Sequence, residues 1–356
     1  MNDRENMLSL LRRTGYERMP VHFSMTPDIE KRFHAYVEKN GYRVPSSPFA
    51  GIPGSKLLNP MPQESWKCYY TQEFAPGTRF DNYGVAREPG SAECMHMTRM
   101  HHPLEKMTTL EELKAYPFPR LSAKASAAQK LAVKQAHIRG KFALGGAECS
   151  IWETAWYARG MEMLMMDMLA DEELACFVLD TVTRNTVTSA VNFAKAGADG
   201  IMLGDDIGMQ KTIMMSEDLY RRYLKPRLKK IIDSARAVKP DIIIFYHSCG
   251  YVIPFIEDLI EAGIDVLNPV QPECMNFEAL FNEYGKRLSF SGTLGTQTLM
   301  PFGTPEDIKN EIKNRLDFVG PKGGLLICPT HVLEPEVPVE NIVAFIDACK
   351  AYVNKG

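Results

Sequence analysis

The 356 residues carry a net charge of −3, with 45% hydrophobic and 24% charged side chains, the balance of a globular protein able to bury a large core. That charge leaves no basic footprint for nucleic acid. No charge block or basic amphipathic helix marks a membrane surface, and no apolar run approaches the roughly 18 residues of a membrane span. Met1-Asn2-Asp3-Arg4-Glu5 lacks the basic and apolar regions of a signal peptide, so a cytoplasmic setting is expected. The eight cysteines are scattered without a disulfide framework, and in a reducing compartment they stand as thiols or metal ligands.

In chain order, residues 3–13 read as a short helix and 18–23 as a first strand. Thr26-Pro27-Asp28 opens a helix running to Gly41, with a cap residue and a proline in its first turn. Residues 42–105 are rich in Pro, Gly, Ser and aromatics and predict an irregular cap insertion, with Phe80–Val85 as one of its strands. Within it, Cys94 and His96 followed by His101 and His102 form a second conceivable metal cluster, although adjacent histidines cannot easily face one ion.

From residue 108 the rhythm is regular. Helices at 108–115 and 124–139 precede a strand at 141–145, and a long helical region spans 151–196. Its methionine run, Met161 to Met168, suits an adaptable packing face. Strands follow at 200–204, 241–247, 264–268, 288–292 and 324–328. They are separated by helices from 216 (kinked at Pro226), 252–262, 277–284 and 304–318, and a last helix covers 338–352. Apolar strands alternating with helices predict a parallel sheet with crossover helices. No Gly-x-Gly-x-x-Gly follows a strand, which argues against a dinucleotide fold. Asp205 and Asp206, His247 and Cys249, Asn268, Ser291 and Thr293, and Cys328 and His331 all fall just beyond C-terminal strand ends. Barrel enzymes gather their sites on that face. The expected fold is an α/β (β/α)8 TIM barrel, one domain over residues 1–356 with an N-terminal extension and the 42–105 cap.

His247, Cys249 and Cys328 end two of these strands. An imidazole and two thiols make a three-ligand Zn2+ set that leaves one position open, the pattern of a catalytic site. Asp205 and Asp206 are candidate catalytic groups that orient substrate or a ligating histidine, or else cap a helix. Glu148 and Cys149 follow the 141–145 strand and are candidates for a fourth ligand or for substrate contact. His331, three residues past Cys328, is a candidate substrate group, and Tyr246, Gln210 and Asn268 are candidate polar pocket residues.

Several segments carry a family resemblance: Gly204-Asp205-Asp206-Ile207-Gly208-Met209-Gln210, His247-Ser248-Cys249-Gly250, Gly263 to Asn268, and Gly323 to His331. Over residues 140–352 the chain resembles the uroporphyrinogen decarboxylase-like superfamily, and the first 105 residues match loosely. Within that superfamily the His-x-Cys and distant Cys are similar to the zinc-containing, cobalamin-dependent methyltransferases that pass methyl from a corrinoid protein to coenzyme M. The resemblance implies a (β/α)8 barrel, Zn2+ on His247, Cys249 and Cys328, and methyl transfer to or from a small molecule. Nothing here resembles an Asp-x-His-x-x-Gly cobalamin module, so the corrinoid is expected on a partner protein. Two other readings stand beside this one. Uroporphyrinogen decarboxylation needs an arginine grip on the substrate carboxylates, of which Arg12-Arg13-Thr14-Gly15-Tyr16 is a weak echo. A zinc-stabilised barrel could also serve as a scaffold. Donor, acceptor, direction and oligomeric state, homo-oligomer included, stay open.

Overall fold

Each apolar run that precedes a polar strand end does form a strand. The computed structural model describes residues 1–90, 98–352 and 354, so Cys94 and His96 lie outside the described residues. The strands, in chain order, are β1 (Phe49–Ile52), β2 (Arg79–Phe80), β3 (Ala86–Glu88), β4 (Arg99–His101), β5 (Phe142–Glu148), β6 (Gly200–Gly204), β7 (Ile243–His247), β8 (Val266–Asn268), β9 (Ser289–Leu294) and β10 (Leu325–Pro329). Seven of them make one parallel sheet in the order β1-β5-β6-β7-β8-β9-β10, while β2, β3 and β4 form a small antiparallel sheet. The large sheet curls, with its crossover helices packed outside, in a TIM-barrel-like arrangement. Among the described residues, no helix is long and apolar enough to cross a membrane.

Two expectations about the first hundred residues need correction. Residues 18–23 are not a strand. The segment runs extended past the position an eighth strand would take, with Met19 and Val21 buried, but Pro20 has no N–H to give a ladder. Its ties are one parallel bridge between Met25 and Leu333, bonds from Leu333 N–H to Ser24 O and from Thr26 N–H to Leu333 O, and the His22 ring set edge-on to Phe49 at 4.9 Å. The ladder therefore stops at β10 and β1. The missing strand lies instead inside the expected cap, where Phe49-Ala50-Gly51-Ile52 pairs in parallel with Phe142 to Gly145. Phe80–Val85 is also not a continuous strand, because the Asp81 carboxylate accepts the N–H groups of Tyr83 and Val85 and turns the chain between β2 and β3.

The long helical region is three helices, Trp152–Arg159, Met161–Ala170 and Glu172–Ala196. Gly160, at φ +86°, breaks the first from the second, and the Asp171 carboxylate caps the third at Leu174 N–H. The expected kink near Pro226 is a π-helical turn over Tyr220–Leu224; Pro226 cannot donate back to the preceding turn.

A buried ion pair fastens the segment after β4 to this helical layer. Arg159 is 1% exposed and meets Asp167 with Nε at 2.8 Å and Nη2 at 3.2 Å. Its Nη1 donates to the carbonyls of Met107, at 2.6 Å, and Leu104. At the N-terminal end of the sheet, buried Asp199 accepts from Arg4, His137 and Ala143 N–H. Polar closure there leaves the C-terminal end for chemistry.

Candidate functional site

Strand register builds the site. Glu148 is opposite Gly204, Gly204 opposite His247, and His247 opposite Asn268, so four strands deliver one row at the C-terminal edge. Gly204 has to lack a side chain, since a Cβ there would fall 2.5 Å from His247 O and 2.7 Å from His247 Cβ. Gly250, at φ +84°, turns the chain just after Cys249, against the backbone of Met209.

His247 is held by its neighbours in a defined tautomer. Its Nδ1 is 2.6 Å from Asn268 Oδ1, while the Asn268 amide nitrogen donates to Ser291 at 3.3–3.4 Å. Nδ1 therefore carries the hydrogen and Nε2 the lone pair. Nε2 lies 3.4 Å from Cys249 Sγ and 3.8 Å from Asp206 Oδ1. The same Asp206 oxygen accepts the Cys249 N–H at 2.8 Å. Asp206, His247 and Cys249 bring one ligand atom each within 4.8 Å of one another.

Cys328 does not join that cluster. Its sulfur is 3.6 Å from Ser291 Oγ, on the Asn268 side of the imidazole, and it reaches His247 through Ser291 and Asn268. Of the expected trio, His247 and Cys249 thus lie together with the Asp206 carboxylate, and Cys328 stands apart from them. Burial pushes the Cys249 thiol up to about 12, helped by Asp206 and Glu153, and the Cys328 thiol up to about 11. Such thiols hold their protons unless a metal cation displaces them.

The donor set fits zinc. Tetrahedral bonds of about 2.0–2.3 Å place neighbouring imidazole, thiolate and carboxylate atoms roughly 3.4–3.6 Å apart, close to the spacings around Nε2. The bonded Nδ1–H supplies the orienting contact that metal-bound histidines carry.

A cavity of about 260 Å³ opens beside these groups, lined by His247, Asn268, Ser291, Cys328, Glu148 and His331 together with His22, Ser24, Thr330 and apolar Phe23, Phe49, Leu144, Met202 and Phe245. Two expected substrate residues do not line it. Tyr246 is buried and alternates with Phe245 and His247, which puts it on the opposite face of β7. Gln210 is exposed in the loop after β6 and accepts from the Cys274 thiol at 3.3 Å. Asp205 is fully buried and accepts from the N–H groups of Ile151 and Glu153, capping the Trp152–Arg159 helix from a distance. Burial and then Glu153 raise its pKa well above the carboxylate range.

Glu153, absent from the expected set, is part of the site. One oxygen accepts from Tyr157 Oη at 2.7 Å and the other from Asp206 N–H at 3.1 Å. Burial, then Asp206, raises its pKa. Cys149, at φ +53°, packs its sulfur 3.8 Å from Tyr157 Oη, away from the ligand cluster. A glutamate in a first helical turn is commonplace; its one sequence signal is its place just after the Glu148 strand end.

A curled parallel sheet with its polar groups gathered at the C-terminal strand ends is the arrangement of TIM-barrel-type enzymes. The chain belongs to the uroporphyrinogen decarboxylase (URO-D) family, whose profile matches residues 91–352. It is 29% identical over 176 residues to the methylcobamide:CoM methyltransferase MtaA of Methanosarcina barkeri, covering 49% of this chain and 48% of that protein. It is 26% identical over 205 residues to a methylated-thiol–coenzyme M methyltransferase of Methanosarcina mazei, covering 55% and 50%. It is 24% identical over 188 residues to the uroporphyrinogen decarboxylase of Chlorobium limicola, covering 51% and 50%. The chain spans about half the length of these curated relatives. A solved methyltransferase from Methanosarcina mazei has the same fold, with a TM-score of 0.64, 20% identity and 98% coverage of both chains. The chain is thus related to both the methyltransferases and the decarboxylases of the URO-D family.

Proposed function

We propose that this protein is a zinc-dependent methyltransferase, moving a methyl group between a corrinoid carried by a separate protein and a small-molecule heteroatom. The observation that carries the reading is the convergence of His247 Nε2, Cys249 Sγ and an Asp206 oxygen within 4.8 Å of one another, with His247 also lining the small cavity at the C-terminal edge of the sheet. His247, Cys249 and Cys328 would hold the ion, with the Cys328 side chain turning from Ser291 and Asp206 standing alongside. When bound, zinc supplies a site where a substrate thiol gives up its proton near neutral pH and its sulfur stays nucleophilic.

The chain's own groups prepare that site. Asn268 fixes the imidazole so that the Nε2 lone pair faces Cys249. Asp206 pins the Cys249 backbone, and Glu153 in turn pins Asp206. Phe49, Leu144, Met202 and Phe245 give the cavity apolar walls that limit water. Toward a thiol, the sulfur–carbon bond forms as the carbon–cobalt bond of the methylcorrinoid breaks. The electron pair stays on cobalt, which passes from the +3 to the +1 state, and the thiol proton leaves to solvent. The reading includes one barrel-type domain capped by the segment after β1, a cytoplasmic setting, and a corrinoid protein docking at the C-terminal end of the sheet.

Tetrapyrrole decarboxylation is disfavoured on size. The cavity, about 260 Å³, lies below the roughly 300–1,000 Å³ that drug-sized ligands occupy, and no arginine or lysine lines it. The test is single-turnover methyl transfer from methylcobalamin to small thiols, followed through the corrinoid spectrum. Zinc-loaded protein should demethylate the corrinoid and metal-stripped protein should not. Equal rates in the two forms would overturn the proposal.

A further inference from the structure

Glu148 is the one carboxylate among the residues lining the cavity, and no lysine or arginine shares that wall. Among the described residues it has no hydrogen bond or ion pair, so its charge is not neutralised within the protein. Arg87 of the cap is engaged elsewhere, over the Tyr157 ring at 4.9 Å and 3.4 Å from Asp81. Three histidines, His22, His247 and His331, also line the wall, and burial lowers the pKa of His22. Phe23, Phe49 and Phe245 line the remaining space, and aromatic rings favour cations over anions.

We infer that this cavity selects a substrate whose non-reacting end is a cation, an ammonium group in preference to a sulfonate or carboxylate, and that Glu148 is the residue that reads the charge. The inference rests on the methyl-transfer reading for the reacting end of that substrate. Glu148 stands in the same strand-end row as His247, with Gly204 between them. The cavity of about 260 Å³ limits the molecule that joins the two to a small one. The substrate class is therefore a short aminoalkyl thiol or its methyl thioether.

The experiment compares three thiols of one skeleton, 2-aminoethanethiol, 2-mercaptoethanol and 2-mercaptoethanesulfonate, against zinc-loaded protein at pH 7. Binding is measured by titration calorimetry and methyl transfer from methylcobalamin is measured separately. The ammonium thiol should bind about tenfold more tightly than the sulfonate, with the alcohol between, the order expected when one charge near an exposed carboxylate changes sign. Glu148→Gln should bring the ammonium compound down to the level of the alcohol in the same variant, and Glu148→Lys should invert the series. The inference is overturned if the sulfonate binds as tightly as the ammonium compound, if Glu148→Gln leaves their ratio intact, or if none of the three binds. The charge order without methyl transfer from any corrinoid would overturn the methyl-transfer reading and support the charge selectivity. Methyl transfer with the sulfonate preferred would do the reverse.

Discussion

Asn268→Ala tests the site at its most defined contact. The Asn268 carbonyl oxygen sits 2.6 Å from His247 Nδ1, and Ser291 holds its amide nitrogen, so the substitution removes the acceptor that fixes both ring orientation and tautomer. The hydrogen bond strengthens as the imidazole donates to a cation, and bonds to charged groups contribute about 1.5–3 kcal/mol. That corresponds to roughly 10–100-fold in metal affinity, the range found when the partner of a metal-bound histidine is lost. Competition for zinc between the protein and a chromogenic chelator near neutral pH reads this directly. Circular dichroism checks that the fold persists, as it should with Asn268 on the cavity wall and not in the apolar core. An affinity within about twofold of the parent protein would refute the tautomer argument, and with it the assignment of Nε2 as the ligand atom.

Three other outcomes follow from the geometry. Cys249→Ala and Cys328→Ala should each lose most bound zinc by metal analysis while Asp206→Asn retains it; zinc retained in Cys328→Ala and lost in Asp206→Asn would instead make the carboxylate the third ligand. Arg159→Leu strands the buried Asp167 carboxylate and two backbone carbonyls, and should cost about 3–5 kcal/mol in urea denaturation; a loss under 1 kcal/mol would contradict a buried, paired charge. Uroporphyrinogen should give no coproporphyrinogen, and turnover at a rate of about 1 per second or more, typical of enzymes, would show the cavity to be larger than its walls indicate.

The strands from β5 to β10 could be read from the sequence because each is a short apolar run ending in polar residues, a pattern that burial on both faces of a parallel sheet enforces. β1 could not. Phe49-Ala50-Gly51-Ile52 is four residues flanked by prolines and glycines, and its pairing with Phe142 to Gly145 is a tertiary fact. Residues 18–23 failed in the opposite sense, since apolar alternation was present but the bridging partners were not. At the site, residue types were readable and distances were not. Cys249 follows His247 through one tight turn, whereas the side-chain direction of Cys328 depends on Ser291, which belongs to another strand. A period of two along β7 places Tyr246 on the face opposite His247, away from the cavity.

The extended segment from Met19 to Met25 forms part of the cavity wall, through His22, Phe23 and Ser24, yet its bridge among the described residues, Met25 to Leu333, goes to the loop after β10 and not to a strand. A strand locked into ladders on both sides cannot change one residue's direction without flipping its neighbours. This segment is free of that rule over most of its length. Substitutions at His22 or Ser24 can therefore reshape the pocket without disturbing strand pairing, which makes this wall the natural place for related chains to diverge in what they accept. Variation in substrate range should concentrate there, and the β7 and β10 positions that carry His247 and Cys328 should stay fixed.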